Sequence, residues 1–272
     1  MKVANKVLVI TGGGAGIGRE TVLEALRRGA KVAAVDLSVE GLAETQKLAG
    51  DLAKNLSVHA VNIADREAVA ALPEAVAKTH GAVDGYINVA GIIHKFKRVN
   101  DLDFSEIERV VNVNWWGTVN LTKAFLPVLL KRPEAHIAHV SSMGGYAPVP
   151  GQTIYGATKA AVRLLTEGLH SELMGTNVGV TTIFPGAVKT GISINSGATT
   201  AAEAAKMAES GEAAKFKMTE PTVAGKMIID GVENKSYHVF IGSDAKMMDR
   251  LIRLMPERAA AIIYRQMASL LG

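Results

Sequence analysis

Short apolar runs rich in β-branched residues alternate along the chain with longer segments of helical periodicity. The runs predict seven strands, at Lys6–Ile10, Lys31–Val35, Ser57–Val61, Val83–Asn88, Ala135–Val140, Val178–Phe184 and Tyr237–Ile241. Helical patterns lie between them, near 17–28, 40–54, 65–79, 103–131, 152–175 and 220–233. Because the strands are apolar throughout, they are typical of a parallel sheet that is covered on both faces. The pattern predicts an α/β fold with a doubly wound sheet of about seven strands.

The last third of the chain differs from the rest in composition and in hydrophobic periodicity. Residues 187–218 are rich in Ala, Gly, Ser and Thr with weak periodicity, which predicts a mobile helical lid over a substrate. Residues 244–271 predict a C-terminal helical extension interrupted by Pro256. Its apolar face would be formed by Met248, Ile252, Met255, Ala259 and Ile262. We expect this extension to pack on the protein or on a second subunit, and a membrane surface is the alternative. The chain shows no linker and no repeat, so residues 1–272 are predicted to form one domain.

Composition excludes several classes of function. The 272 residues contain no cysteine, which excludes disulfides and thiol catalysis. His136 and His139 are three residues apart in a predicted strand and would face opposite sides, so no metal site is predicted. The net charge of +4 is dispersed and only 5% of residues are aromatic, which argues against nucleic-acid binding. No apolar run approaches the ~20 residues of a membrane span, and the chain opens directly on a strand-like run, so we expect a cytoplasmic protein.

A glycine-rich turn follows the first predicted strand. The run from Thr11 to Gly18 reads Thr-Gly-Gly-Gly-Ala-Gly-Ile-Gly and leads into a helix. Glycines there permit a tight turn and let the backbone approach a pyrophosphate at the helix N-terminus. The turn alone is a weak signal, but its place between the first strand and the first helix strengthens it. The candidate binding residues are Gly12, Gly14, Gly16, Ile17 and Gly18.

Asp36 ends the second predicted strand, 24 residues after Gly12. A carboxylate at this place can accept hydrogen bonds from both adenosine ribose hydroxyls and would repel a 2′-phosphate. Neither Ala15 nor Leu37 offers a cation for that phosphate. The sequence therefore favours NAD over NADP, although Arg19 keeps NADP open as the alternative.

Tyr155 and Lys159 are four residues apart in a predicted helix and share one face. A tyrosine hydroxyl titrates near ~10, and a neighbouring ammonium would lower that pKa into a range useful for proton transfer. Ser142, thirteen residues before Tyr155, follows a strand and could hydrogen-bond a substrate oxygen. Tyr-x-x-x-Lys alone is common by chance, but the serine and the glycine turn together make a specific constellation.

Over roughly residues 3–190 the sequence resembles the short-chain dehydrogenases/reductases, which have a Rossmann-like fold. The resemblance rests on Thr11-Gly-x-x-x-Gly-Ile-Gly18, Asn88-Val-Ala-Gly91, Asn114, the Ser142–Tyr155–Lys159 set and Pro185-Gly186 with Thr190. It implies an enzyme that moves a hydride between nicotinamide and a secondary alcohol or ketone, and that works as a homodimer or homotetramer.

The resemblance also implies roles for single residues. Tyr155 would be the general acid and base, and Lys159 would lower its pKa and bind the nicotinamide ribose. Ser142 would polarise the carbonyl, and Asn114 would hold a water in a proton relay. The implied cofactor contacts add Asn62 and Ile63 at the adenine, Asn88, Ala90 and Gly91 after the fourth strand, and Pro185, Gly186, Val188 and Thr190 at the carboxamide.

Three features depart from the family pattern. Val89 stands where a second Asn is usual, and Asn62 stands where Asp is common, although an amide oxygen can still accept from adenine. The helical segment after Tyr237–Ile241 puts the usual tetramer packing in doubt.

Four interpretations stay open from the sequence. Trp115 and Trp116 favour an interface or core position over substrate contact, and His94, Lys95, Lys97 and Arg98 favour a solvated loop over an anion site. The methionine-rich C-terminal part suggests a bulky apolar alcohol as substrate. The alternative functions are a catalytically silent NAD-binding redox sensor and a nucleotide-sugar epimerase, for which 272 residues leave no separate substrate lobe.

Overall fold

The computed structural model describes residues 1–200, 202 and 218–271. Within these residues all strands belong to one sheet, and every pairing is parallel. The strands are β1 (Val7–Thr11), β2 (Lys31–Asp36), β3 (Leu56–Ala60), β4 (Gly85–Asn88), β5 (Ala135–Val140), β6 (Val178–Pro185) and β7 (His238–Ile241). The predicted Rossmann-like sheet of seven strands is confirmed, with strand ends shifted by no more than two residues.

The helices connect the strands and also extend the chain beyond β7. They are α1 (Gly16–Arg27), α2 (Val39–Ala49), α3 (Arg66–His80), α4 (Phe104–Val111), α5 (Gly117–Leu129), α6 (Thr153–Glu172), α7 (Ile192–Asn195), α8 (Pro221–Glu233), α9 (Ser243–Leu254) and α10 (Pro256–Met267). A π-helical turn, Asn112–Trp116, joins α4 to α5, so the predicted helix 103–131 is interrupted. Among the described residues no helix has the length and apolar character needed to cross a bilayer.

The strand order is β3-β2-β1-β4-β5-β6-β7. The order reverses direction between β1 and β4, and in open α/β sheets the carboxyl ends of the strands at such a point form a ligand crevice. One hydrophobic cluster joins the sheet to α1, α2 and α8, and a second joins its other face to α3, α5 and α6. Both faces are therefore covered, as the apolar strands predicted.

The C-terminal extension packs on the body of the protein. Met248 of α9 and Ile263 of α10 form a third cluster with Ala147, close to the turn after β5. Two members of the predicted apolar face, Met255 and Ile262, are instead 40% and 39% exposed. Pro256 explains this difference, because it starts a new helix on which Ile263 replaces Ile262 beside Ala259 on the inner face.

The predicted lid is only partly covered by the structure. Residues 187–200 contain the short α7, whereas residues 201 and 203–217 lie outside the described part. Ser196 is buried, and its hydroxyl accepts a hydrogen bond from the Ile93 backbone N–H at 3.1 Å. The start of this segment therefore lies against the loop that follows β4.

Candidate active site

The glycine-rich turn between β1 and α1 has the geometry of a phosphate cradle. Gly12 and Gly16 have φ angles of +68° and +52°, in the left-handed region where glycine carries no steric cost. A Cβ at Gly18 would overlap the carbonyl of Gly12, so the helix packs directly on the turn. The first N–H groups of α1 have no partners within the helix, and its first turn carries no acidic residue. This helix terminus fits the pyrophosphate of a dinucleotide.

Asp36 lies beside the same turn. Its Oδ2 accepts from the Gly14 N–H and its Oδ1 from the Ser38 N–H, both at 2.9 Å. Each carboxylate oxygen can accept a further hydrogen bond, so the group can still receive ribose hydroxyls.

Arg19 is engaged elsewhere. Its Nε donates to Thr45 Oγ1 at 3.0 Å, and its NH2 group donates to the carbonyls of Gly14 and Gly41. These bonds tie α1 to α2, and they occupy the side chain that could otherwise face a 2′-phosphate.

Asn88 acts on the backbone of the loop after β4 through its hydrogen bond with Thr11. Its Oδ1 accepts from the Thr11 hydroxyl at 2.6 Å, and its Nδ2 donates to Thr118 Oγ1 at 2.9 Å. The Thr11 oxygen also accepts the N–H groups of Val89 and Ala90 at 3.1 Å each. With both ends of its amide bound and only 2% of its surface exposed, Asn88 positions residues 89–91. Direct cofactor contact by Ala90 and Gly91 stays a prediction.

Asn114 lies in the π-helical turn and is buried. Its amide pairs with both backbone groups of Ile92, donating to the carbonyl and accepting from the N–H at 2.9 Å each. Its Nδ2 also donates to Thr158 Oγ1 at 3.0 Å. The residue thus joins the loop after β4 to α6. Turns of this kind inside helices often mark functional sites, but hydrophobic periodicity does not reveal them.

Ser142, Tyr155 and Lys159 meet beyond the carboxyl end of β5. Ser142 Oγ accepts from the Gly144 N–H at 3.0 Å and also bonds to the Tyr155 hydroxyl. Lys159 Nζ lies 6.0 Å from the centre of the Tyr155 ring and donates to the Val140 carbonyl at 2.9 Å. A Cβ on Gly91 would lie 2.8 Å from this Nζ. The structure therefore brings the four predicted catalytic residues around the ends of β4 and β5.

The protonation equilibria differ from the expectation. Burial raises the pKa of Tyr155 above its usual value, and the Ser142 hydrogen bond opposes this rise only in part. Burial lowers the pKa of Lys159 to about 8. We expected the ammonium to lower the pKa of the tyrosine, but here Nζ points at a backbone carbonyl and desolvation dominates.

The remaining predicted contacts lie after β3 and after β6. Asn62 Oδ1 accepts from the Ala64 N–H at 3.0 Å, and Ile63 is buried against Gly117. After β6, Val188 pairs with Thr219 in an isolated parallel bridge. The Thr190 methyl lies 3.4 Å from the position that a Cβ on Gly16 would occupy. The loop from Pro185 to Thr190 thus crosses beside the glycine turn.

His94 and Gln152 form a buried pair that the sequence pattern does not predict. Both are buried, at 0% and 4% exposure, and Gln152 Nε2 donates to the His94 carbonyl at 2.6 Å. His94 Nε2 and Gln152 Oε1 have no hydrogen-bond partner among the described residues. The expected solvated loop therefore holds for Lys95 and Arg98 but is wrong for His94. A pattern of basic residues could not reveal this, because burial depends on the packing of α6.

The described residues contain no group of three or more His, Asp or Glu side chains arranged to hold a metal ion.

Comparisons with known proteins agree with this geometry. The model of the short chain dehydrogenase family matches residues 6–201. SadH of Mycobacterium tuberculosis is 38% identical over 252 residues, which cover 92% of this chain and 91% of that protein. The 3-oxoacyl-[acyl-carrier-protein] reductase FabG of Thermotoga maritima is 35% identical over 192 residues, covering 70% of this chain and 77% of that protein. A short chain dehydrogenase/reductase from Burkholderia phymatum, solved with NAD, has the same fold, with a TM-score of 0.82, 23% identity and coverage of 93% and 96%.

Proposed function

Because the chain belongs to the short-chain dehydrogenase/reductase family, we propose that it is an NAD-dependent oxidoreductase acting on a secondary alcohol or its ketone. One observation carries the proposal. Ser142, Tyr155, Lys159 and Asn114 come together at the crevice beside the glycine turn, although they come from three separate parts of the chain.

The side chains have complementary roles in this reaction. Nicotinamide, when bound, supplies or accepts the hydride at its C4 atom. Tyr155 donates its hydroxyl proton to the carbonyl oxygen during reduction and takes the alcohol proton during oxidation. Ser142 donates a hydrogen bond to the same oxygen and orients it. Lys159 donates to the Val140 carbonyl beside Gly91, and Asn114 holds the backbone of Ile92, so the two residues support the segments around Tyr155.

The preference for NAD is supported by the surroundings of the adenosine ribose position. The Asp36 carboxylate is fixed by two backbone N–H groups, and at the proposed ribose position its charge would repel the 2′-phosphate of NADP. Arg19 is bound to Thr45 and to two carbonyls, and the exposed Leu37 carries no charge. Neither Arg19 nor Leu37 therefore offers an available positive charge to a 2′-phosphate.

A bulky apolar substrate is supported by the third hydrophobic cluster. Met143 follows Ser142 directly and packs against the cluster that contains Met248, as does Met267 at the end of the C-terminal extension. Flexible thioether side chains adapt to apolar surfaces of varied shape. The wall next to the catalytic serine is therefore suited to a large hydrocarbon group.

The decisive experiment measures NADH formation with a panel of secondary alcohols, from small diols to terpenols and steroids, with NAD and NADP in parallel. We expect turnover with NAD, highest for bulky apolar alcohols, and its loss in Tyr155→Phe with NADH affinity unchanged. Oxidation requires the deprotonated hydroxyl of Tyr155, which accepts the proton of the alcohol. Because the raised pKa of Tyr155 keeps this hydroxyl protonated at neutral pH, the rate of oxidation should rise with pH.

The outcomes separate the alternatives. Activity that survives in Tyr155→Phe would overturn the assigned mechanism. Tight NADH binding without turnover on any member of the panel would favour a redox sensor. A preference for NADP would refute the role given to Asp36, and turnover of small polar alcohols alone would refute the bulky substrate.

A further inference from the structure

The first turn of the C-terminal extension contacts two segments of the active site. Asp244 is the second residue of α9, and its Oδ2 accepts the backbone N–H of Ala187 at 2.7 Å. The next residue, Ala245, accepts the Tyr146 hydroxyl at its carbonyl, also at 2.7 Å. Tyr146 lies in the turn after Ser142, whereas Ala187 lies in the loop after β6. The two bonds connect these segments through the extension.

The carboxylate of Asp244 occupies a slot that two glycines create. A Cβ on Gly186 or on Gly242 would overlap the Asp244 carboxyl group. Gly242 also has a φ angle of +96°, which starts α9 at a sharp bend. Since neither position accepts a side chain while Asp244 stays in place, the carboxylate has a defined position against the loop backbone.

Ala187 begins the segment that leads to the glycine turn. Its carbonyl accepts the Thr219 N–H at 2.8 Å, and the Thr219 carbonyl accepts the Lys189 N–H at 3.0 Å. Ala187 is therefore bound on both sides, at its carbonyl by the Thr219 N–H and at its N–H by the Asp244 carboxylate. Two residues after Val188 and its bridge, Thr190 packs beside Gly16. Because Ala187 lies three residues before Thr190, the contacts of Ala187 with Asp244 and Thr219 help to fix the position of Thr190.

We propose that Asp244 is a positioning residue for the nicotinamide end of the cofactor site. It holds the Pro185–Thr190 loop in the binding conformation and acts through the Ala187 N–H, without contacting the cofactor. A hydrogen bond to a carboxylate is stronger than one between neutral groups. A loop that is ordered before binding also loses less conformational freedom when the ligand arrives. The inference rests on the proposed function, since it assigns the loop to nicotinamide.

The test compares binding of NADH with binding of ADP-ribose, which lacks nicotinamide, by isothermal titration calorimetry. Asp244→Ala should raise the Kd for NADH about tenfold and change the Kd for ADP-ribose less than about twofold. Asp244→Asn should keep most of the NADH affinity, because its amide oxygen can still accept from Ala187. The matched control is Asp249→Ala in the same helix, whose carboxylate pairs with Arg253 and not with the loop. It should bind both ligands as the wild type does.

Asp244→Ser replaces the alanine variant if the latter does not fold, since serine suits a helix start but is too short to reach Ala187. Equal weakening of NADH and ADP-ribose would mean a general structural role and would overturn the proposal, as would unchanged NADH affinity. Failure of the wild type to bind NADH would refute the proposed function itself.

Discussion

His136 and His139 show how burial decides the chemistry of single residues in this protein. Both lie on β5, where they face opposite sides as their spacing predicted. His139 bonds to Tyr86 and Thr166, and His136 bonds to Thr181. Burial lowers the pKa of each imidazole to about 3. Both histidines are thus neutral members of the core and not proton carriers.

These two histidines make stability depend on acidity. Between pH 6.5 and pH 3 the unfolded chain binds protons at both imidazoles and the folded chain does not. The free energy of unfolding should therefore fall as pH is lowered, with a contribution of about 1.4 kcal/mol per pH unit from each histidine. Urea unfolding from pH 7 to pH 4.5 measures this slope. His139→Gln should reduce the slope by about 1.4 kcal/mol per unit, and an unchanged slope would show that His139 is protonated in the fold.

At the scale of elements, the junction of β1 and α1 depends on a close contact between backbones. Gly18→Ala would place a methyl group on the Gly12 carbonyl. We expect a loss of about 1–3 kcal/mol in the free energy of unfolding from overpacking. We also expect NADH affinity to fall at least about tenfold, because the turn that is proposed to hold the pyrophosphate must move. Urea unfolding and fluorescence titration with NADH measure the two effects.

Gly168→Ala is the matched control for that substitution. Gly168 also lies in a helix, α6, but a Cβ there would have no neighbour within 4 Å. Alanine should raise stability by about 0.5–1 kcal/mol and leave NADH affinity unchanged. If the two variants behaved alike, the effect of Gly18 would be one of helix propensity and not of the close approach.

At the scale of the whole molecule, the proposed cofactor site draws on both halves of the sheet, so cofactor binding should stabilise the complete fold. NADH at about 100 times its Kd should add about 2.7 kcal/mol and raise Tm by about 5–10 °C. Differential scanning fluorimetry with a series of NADH concentrations measures the shift. Tyr155→Phe should show the same shift, and Gly18→Ala should show much less at the same concentration. A Tm independent of NADH at millimolar concentration would contradict the assigned site.

Assembly also belongs to this scale. Phe104, Trp116 and Leu164 are 81%, 44% and 71% exposed, and they supply apolar surface on α4, the π-helical turn and α6. The homodimer or homotetramer that the family resemblance implies stays a prediction, as does the cytoplasmic location.

Local sequence patterns are enough to predict the sheet, which the structure confirms, and to propose the residue types of the candidate site. Continuous apolar runs need cover on both faces, so they indicate buried parallel strands whatever the details of packing. The glycine turn and the Tyr155–Lys159 pair are local, because a turn and a spacing of four residues are set by neighbouring backbone geometry. Strand β5, whose predicted bounds Ala135–Val140 agree with the structure, shows how far this reasoning extends.

Contacts between distant segments determine which of the polar groups are available. Asn88 is bound by Thr11 and Thr118, and Arg19 is bound by Thr45 and Gly41 besides its neighbour Gly14. Because four of these partners are 22 to 77 residues away, no local pattern could show that the two side chains are occupied. The same holds for the burial of His94, for the interrupted helix at Asn114 and for the contact between Asp244 and Ala187. Burial and hydrogen bonding depend on which distant segments meet. The residue types therefore indicate which reaction is possible, while packing determines which polar side chains remain free to take part in it.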